Sequence, residues 1–285
     1  MSDAVGDLLV VDLGTMPYAA ALELQRDVAR RRIAGEINED VLVLVEHPPV
    51  VTLGRTAKGA NLVASPEFLA SRGVELFEVE RGGDITFHGP GQLVGYPIID
   101  LKRHRKDLHW YLRKVEEALI QGVAELGIVA GRVEKYTGVW VTSQRLDETA
   151  PDAEIGQTPS PITSSGSALG PRQPSLASDG PRKLASIGVH ARDWVTWHGF
   201  ALNVNTDLGY FDLIVPCGIP DVTMTSVAQE LGEGSVTMHV VRDAVVRAFG
   251  QVFDLTVRAI DPSQLAGAGR IPAEAVAGAV GSSFH

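Results

Sequence analysis

Residues 81–101 read RGGDITFHGPGQLVGYPIIDL. Arg81–Gln92 holds four glycines, a proline and three groups that charge or donate, Arg81, Asp84 and His88. Glycines let a backbone turn through positive φ and let a ligand approach the main chain closely. A loop of this kind costs conformational entropy and adds nothing to a core. Gln92–Leu101 then reads as an apolar strand that ends beside Asp100, so the loop is held by structure directly after it. Composition alone does not separate a site from an ordinary glycine-rich turn. Two nucleotide motifs fail here. Gly89-Pro90-Gly91 begins like a dinucleotide fingerprint, but the residues after it read as strand where a helix should open. Gly54–Gly59 has phosphate-loop glycine spacing, but Ala60 and Asn61 stand where Lys and Ser or Thr are needed.

Working back from the loop, Val74–Val79 alternates like a strand, and Ser65-Pro66 opens a short helix to Ser71. Val50–Leu53 and the apolar run Val41–Glu46 read as strands separated by His47-Pro48-Pro49. Tyr18–Ile33 is helical, with Leu22, Leu24, Gln25, Val28 and Arg32 inward and Gly35 as the stop. Leu8–Leu13 is a short strand.

Forward from it, Lys102–Lys106 is a basic run, either a solvated turn or a docking spot for an acidic partner. Asp107 caps a helix Leu108–Leu126 whose stripe is Leu108, Leu112, Val115, Leu119, Val123 and Leu126. Gly138–Thr142 is a strand. Residues 145–181 are rich in Pro and Ser and read as a disordered insertion. Lys183–Val189 and Gly199–Val204 read as paired strands, with Trp194–Trp197 in or near their turn. Thr237–Phe249 is a helix with Val240, Val241, Ala244, Val245 and Ala248 inward, and 256–285 reads as a C-terminal tail.

The 285 residues are 45% hydrophobic with a formal net charge of −10, which argues against unspecific nucleic-acid binding. No apolar run reaches the roughly 20 residues of a membrane span, and Met1–Gly14 lacks the basic segment of a secretory signal. A cytoplasmic protein is the expectation. The single cysteine, Cys217, rules out an internal disulfide or a Cys-based zinc cluster, and the eight histidines show no paired ligand spacing. No metal or cofactor is expected.

A lone cysteine is more often a small buried hydrophobe than a nucleophile. Cys217 lies between Pro216 and Gly218, however, in a rigid corner. There the following backbone N–H is expected to face a carbonyl and hold an oxyanion. A free thiol titrates near roughly 8.5, so it needs help to become a thiolate. His88, His190 and His198 are candidate partners. So is Lys183, which starts an apolar strand but by its position alone reads as a strand-end lysine with its head in water.

RGGDITFHGPGQLVGYPIIDL, RKLASIGVH, HGFALNVN and VPCGI, in this order, resemble the octanoyltransferase family of lipoate synthesis, and GRTAKGANL at 54–62 is similar to an earlier family segment. The resemblance covers most of residues 8–255 and departs at the insertion before Lys183. It implies a single mixed α/β (α+β) domain over residues 1–255, a sheet flanked by helices, in the fold of biotin and lipoate protein ligases. It implies octanoyl transfer from octanoyl-acyl carrier protein to a lysine of lipoyl domains, those of 2-oxoacid dehydrogenase complexes and the glycine cleavage H protein. By that resemblance Cys217 is the acyl-thioester nucleophile and Lys183 the group that favours its thiolate. Arg81, Gly82, Gly83, Asp84, Ile85, Thr86, Phe87 and His88 would line the substrate site with Ser186, Ile187, Gly188, Gly199, Phe200 and Ala201. Exchange of one thioester for another, then for an amide, needs no ATP and goes in two covalent steps. The alternatives are an ATP-dependent lipoate or biotin ligase of the same fold, and a non-catalytic module that docks acyl carriers.

Overall fold

The computed structural model describes residues 6–142 and 180–265. In chain order the elements are β1 (Asp7–Thr15), α1 (Tyr18–Ala34), β2 (Asp40–Glu46), β3 (Val50–Leu53), α2 (Pro66–Ser71), β4 (Glu75–Glu78), β5 (Ile85–His88) and β6 (Gln92–Ile98). Then come α3 (Leu108–Ala124), β7 (Ala130–Val133), β8 (Tyr136–Val141), β9 (Arg182–Arg192) and β10 (Val195–Asn203). The described chain ends with β11 (Thr223–Met224), α4 (Val227–Leu231), α5 (Met238–Phe253), β12 (Thr256–Ala259) and α6 (Pro262–Leu265).

Two sheets result. The larger runs β12-β1-β2-β6-β10-β9-β8-β7, with β11 added beside β9, and the smaller runs β4-β3-β5. The large sheet is mixed: β1 pairs parallel with β2 and β12, whereas β2–β6, β6–β10 and β10–β9 are antiparallel. The apolar run of β2 is explained by burial on both faces. Leu42 and Leu44 face the core under α3 and α5, while Val41, Val43 and Val45 face the core under α1. Gly122 brings α3 close to α5, since a Cβ there would come within 3.1 Å of the Val245 Cα.

Helix ends follow local chemistry. Gly35 stops α1 in the left-handed region at φ 75°, Ser65 caps α2, and Asp107 accepts from the N–H groups of His109 and Trp110 at the start of α3. Two inward assignments fail: Leu108 and Val240, each in the first turn of its helix, are 39% and 45% exposed. Tyr111, Glu116 and Ala118 are buried on α3 instead.

The expected loop over Arg81–Gln92 is interrupted by β5, whose partner β3 supplies the backbone bonds that composition does not reveal. The tail assigned to 256–285 also begins too early. Thr256–Ala259 pairs with β1, and Leu265 is buried in the core under α1. The Pro- and Ser-rich segment expected to be disordered lies almost wholly outside the described residues. Among the described residues no helix is long and apolar enough to cross a membrane.

The basic run 102–106 folds back on its own domain. Arg103 donates to the Asn38 carbonyl, His104 Nε2 lies 2.7 Å from Asp40 Oδ2, and Arg105 lies 3.3 Å from Asp107. Asp40 also meets Arg32 at 3.2 Å, and Arg32 lies 3.7 Å from Asp100. This buried ionic cluster pins α1, β2 and the end of β6 together.

Candidate active site

β9 and β10 are antiparallel neighbours, and their register sets Gly188 opposite Gly199, Ile187 opposite Phe200 and Ser186 opposite Ala201. The two triplets singled out in sequence are therefore one patch of sheet. They line a cavity of about 440 Å³ together with Arg81, Gly83, Asp84, Thr86, His88, Lys183 and Cys217. That volume lies within the range of small-molecule sites, about 300–1,000 Å³. Two glycines shape the floor. A Cβ at Gly95 would lie 2.1 Å from the Phe200 ring, and one at Gly199 would lie 2.2 Å from the Gly95 carbonyl.

Strand alternation divides the Arg81–His88 segment. Thr86 and His88 face the cavity, whereas Ile85 and Phe87 enter the core beneath the small sheet, where Phe87 stacks on Tyr210 at 4.7 Å. Gly82 is not in the lining either; its N–H donates to the Val189 carbonyl at 2.8 Å. Ile85, Phe87 and Gly82 therefore shape the site from behind rather than line it.

Lys183 and Cys217 meet. Lys183 is 1% exposed on β9, and its Nζ lies 3.1 Å from Cys217 Sγ. The strand-end reading with the head in water is thus overturned: Lys183 lies between paired strands, with its amine against the Trp140 ring of β8 and the Cys217 sulfur. Ser186 Oγ is 4.0 Å from the same sulfur. None of the three histidines is the sulfur's hydrogen-bond partner. His88 bonds Gln92 at 2.9 Å, His190 bonds the Glu80 carbonyl at 3.1 Å, and His198 Nε2 lies 3.8 Å from the Glu80 carboxylate.

Cys217 sits in the left-handed region at φ 56°, ψ 19°, and Gly218 follows at φ 64°. A non-glycine residue there is strained by roughly 1–2 kcal/mol. The turn holds it with the Gly218 N–H on the Val215 carbonyl (2.9 Å) and the Ile219 N–H on the Pro216 carbonyl (3.1 Å). Those two N–H groups are engaged, so the oxyanion role expected of this corner does not fit it. Asp84 braces the turn from the other side. Its Oδ2 accepts from Asn61 at 2.6 Å, and a Cβ at Gly218 would come within 2.6 Å of that oxygen.

Arg81 is 7% exposed and donates to the Thr52 hydroxyl and carbonyl; no carboxylate lies within ion-pair distance of it among the described residues. Burial lowers its pKa. Four cations, Lys58, Arg81, Lys135 and Lys183, line the cavity against one carboxylate, Asp84. Tyr18 and Tyr96 also line the cavity and were missed in sequence reading, with His47 behind them. Tyr18 stacks on His88 at 6.0 Å between centroids, and the Tyr96 hydroxyl meets His47 Nε2 at 2.7 Å. Burial depresses His47 to about 4 and His88 to about 3, and pushes Tyr18 up to about 12. His198 beside Glu80, with Arg26 and Trp197, holds that carboxyl well below the usual carboxylate range. Tyr18 and Tyr96 carried no motif. Their one signal was aromatic hydroxyls inside otherwise apolar elements.

The family model described as lipoyl protein ligase A/B catalytic domain matches residues 17–250. The chain belongs to that family. Octanoyltransferases are among its relatives. That of Koribacter versatilis is 46% identical, with 86% of this chain and 83% of the relative covered. That of Acidobacterium capsulatum is 45% identical, covering 86% and 90%. The octanoyltransferase of Myxococcus xanthus is 44% identical over 87% of this chain, which spans 60% of that longer protein. By family the chain is an acyltransferase. Among solved structures, the bi-partite lipoate protein ligase of Thermoplasma acidophilum superposes with a TM-score of 0.62 at 17% identity, covering 91% and 88% of the two chains. A lipoate-protein ligase A bound with ATP gives 0.59 at 15%, covering 91% and 90%. At such identities the likeness speaks for the fold, and the lipoyl ligase catalytic fold is the mixed α/β architecture expected from the sequence.

Proposed function

We propose that this member of the lipoyl ligase A/B family transfers octanoyl from octanoyl-acyl carrier protein to a lysine of lipoyl domains, through a thioester on Cys217 and in the cytoplasm. The observation that carries the reading is the 3.1 Å contact between the buried Lys183 amine and the Cys217 sulfur at the cavity wall. Octanoyltransferase relatives that align over most of both chains support the acyl group named.

In this reading the Cys217 proton passes to Lys183, and the thiolate attacks the carrier thioester. The tetrahedral intermediate expels the carrier thiol, which leaves with the Lys183 proton. A lipoyl-domain amine then attacks the acyl-enzyme and gives its proton to Lys183, and the Cys217 sulfur departs as thiolate. The N–H groups of Gly218 and Ile219 are already engaged in the turn, so the charge of the developing oxyanion falls largely to the cations of the wall, Arg81 and Lys183. Ile187, Phe200 and Ala201 give the acyl chain apolar surface.

Incubation with octanoyl-carrier protein is expected to add one octanoyl group to Cys217, seen by mass spectrometry of the intact chain and lost on addition of a lipoyl domain. Transfer at a near-normal rate by Cys217→Ser would overturn the mechanism. ATP-dependent acylation from free octanoate would favour the ligase alternative. Carrier binding with no acyl-enzyme would favour the non-catalytic module.

A further inference from the structure

The wall behind Lys183 is an indole. Trp140, on β8, stands opposite Lys183 in the β8–β9 ladder, directly beside the irregularity between Val139 and Trp140. Lys183 Nζ lies over its ring at 5.1 Å from the centroid. Trp140 is 3% exposed, and its Nε1–H has no hydrogen-bond partner. An orphaned buried N–H costs about 1–3 kcal/mol. A residue chosen for packing alone, Phe or Leu, would fill the space without that cost. What an indole adds is the strongest face for a cation.

The charges around the amine leave that face a distinct part to play. No carboxylate lies within 4.0 Å of Lys183 Nζ among the described residues, because Lys183 forms none of the ion pairs. From α3, the Glu116 carboxylate is taken by Arg113, Arg132 and the Gly138 N–H. From the 81–84 segment, Asp84 is taken by Asn61 and the Ile85 N–H, and Arg81 adds a like charge to the same cavity. On β9 the preceding Arg182 pairs with Glu230 at 2.9 Å. From the β7–β8 turn, Lys135 lines the mouth and lies 4.0 Å from Glu134, with Tyr136 beside it. Cys217 is the remaining titratable group in contact. Desolvation disfavours a buried ammonium. Among the described residues, the sulfur and the indole face are what offset it. Gly138 keeps the geometry tight: a Cβ there would come within 3.0 Å of Lys183 Cε, and the Glu116–Gly138 bond holds the strand down on the amine.

We infer that Trp140 is a positioning residue whose ring face holds Lys183 in its ammonium form, so that the resting pair is thiolate and ammonium rather than thiol and amine. The inference rests on the transferase reading for its purpose, but its test does not use an acyl donor.

Cys217 is the only thiol, so iodoacetamide alkylation of the intact protein reads it alone. The rate is followed against pH for wild type, Trp140→Phe, Trp140→Leu and Trp140→Met. Loss of the ring face in the Leu and Met variants is expected to move the midpoint of the profile up by about one pH unit. Phe, which keeps a weaker face, should recover at least half of that shift. A folded Leu or Met variant with the wild-type midpoint overturns the proposal. So does a Phe variant displaced as far as the non-aromatic ones, since packing rather than the ring would then be responsible. Met, unbranched and able to adjust to an irregular gap, serves if Leu does not fold. Should the shift appear while no acyl-enzyme forms, the transferase reading fails and the role of Trp140 stands.

Discussion

At the scale of single residues, the site is two side chains held where neither would rest by itself: a lysine without water and a cysteine in a left-handed turn. Lys183→Met removes the proton acceptor, and octanoyl transfer at neutral pH is expected to fall about 10²–10⁴-fold. Stopped-flow or discontinuous rates on carrier-bound octanoate would check it, with circular dichroism confirming the fold. His47 gives a pH prediction. Its ring is buried and neutral, with its pKa depressed to about 4 by burial. Above about pH 6.5 it is neutral both folded and unfolded, and its neutral form is no burden. As the pH falls below that, the unfolded chain takes up a proton that the folded chain refuses. Stability is therefore lost from about 6.5 down to about 4, on the order of 3 kcal/mol from this ring. Urea unfolding between pH 7 and 4 should show a shallower loss for His47→Gln than for wild type; equal losses would refute it.

At the scale of elements, apolar runs and caps were legible and partners were not. Short apolar runs mark β2, β9 and β10 because layers cover both faces of the sheet there, and Ser65 and Asp107 announce their helices by orphaned N–H groups that only a side chain satisfies. β5 was hidden inside Arg81–Gln92 because four residues bounded by glycines give no periodicity; pairing with β3 decides it. Leu108 and Val240 fit their helical stripes, but each stands in a first turn where it stays exposed. Arg32 was legible as inward from its place on the helical stripe, but its partner Asp40 was not, since the pairing of buried charges depends on contacts between separate elements. Asp40→Asn leaves Arg32, 5% exposed, short of its closest carboxylate. A loss of about 3 kcal/mol in equilibrium unfolding is expected; a change below about 0.5 kcal/mol would show that Asp100 suffices alone.

At the scale of the whole molecule, the pairing of Cys217 with Lys183 was legible only through resemblance. The residues lie 34 positions apart, and geometry alone brings them together. Distance from the cavity likewise bears on the two readings of the basic run, solvated turn or docking spot. The basic run 102–106 packs at the Asp40 end of β2, whereas His47 follows its other end and bonds the cavity residue Tyr96, roughly 20 Å away along the strand. The cations that ring the mouth are instead Lys58 and Lys135, both exposed, on a protein of net charge −10. Lys58→Glu with Lys135→Glu is expected to raise KM for an acidic carrier about tenfold at low salt, with the gap closing as ionic strength rises. Arg103→Glu with Arg105→Glu should leave KM near wild type. Steady-state kinetics across a salt series separates the two pairs.

The strand β12 covers the flank of β1 with backbone bonds, although its own side chains are all exposed. A chain cut after Leu255 would leave β1 with a bare row of amides and carbonyls along one margin. Such a margin is a template for self-association. Light scattering of that truncated chain should find it growing into oligomers under conditions where the longer one stays dispersed. The stretch from Thr256 to Leu265, a strand that covers the margin and a Leu265 that anchors it in the interior, would then be what keeps neighbouring copies from stitching together.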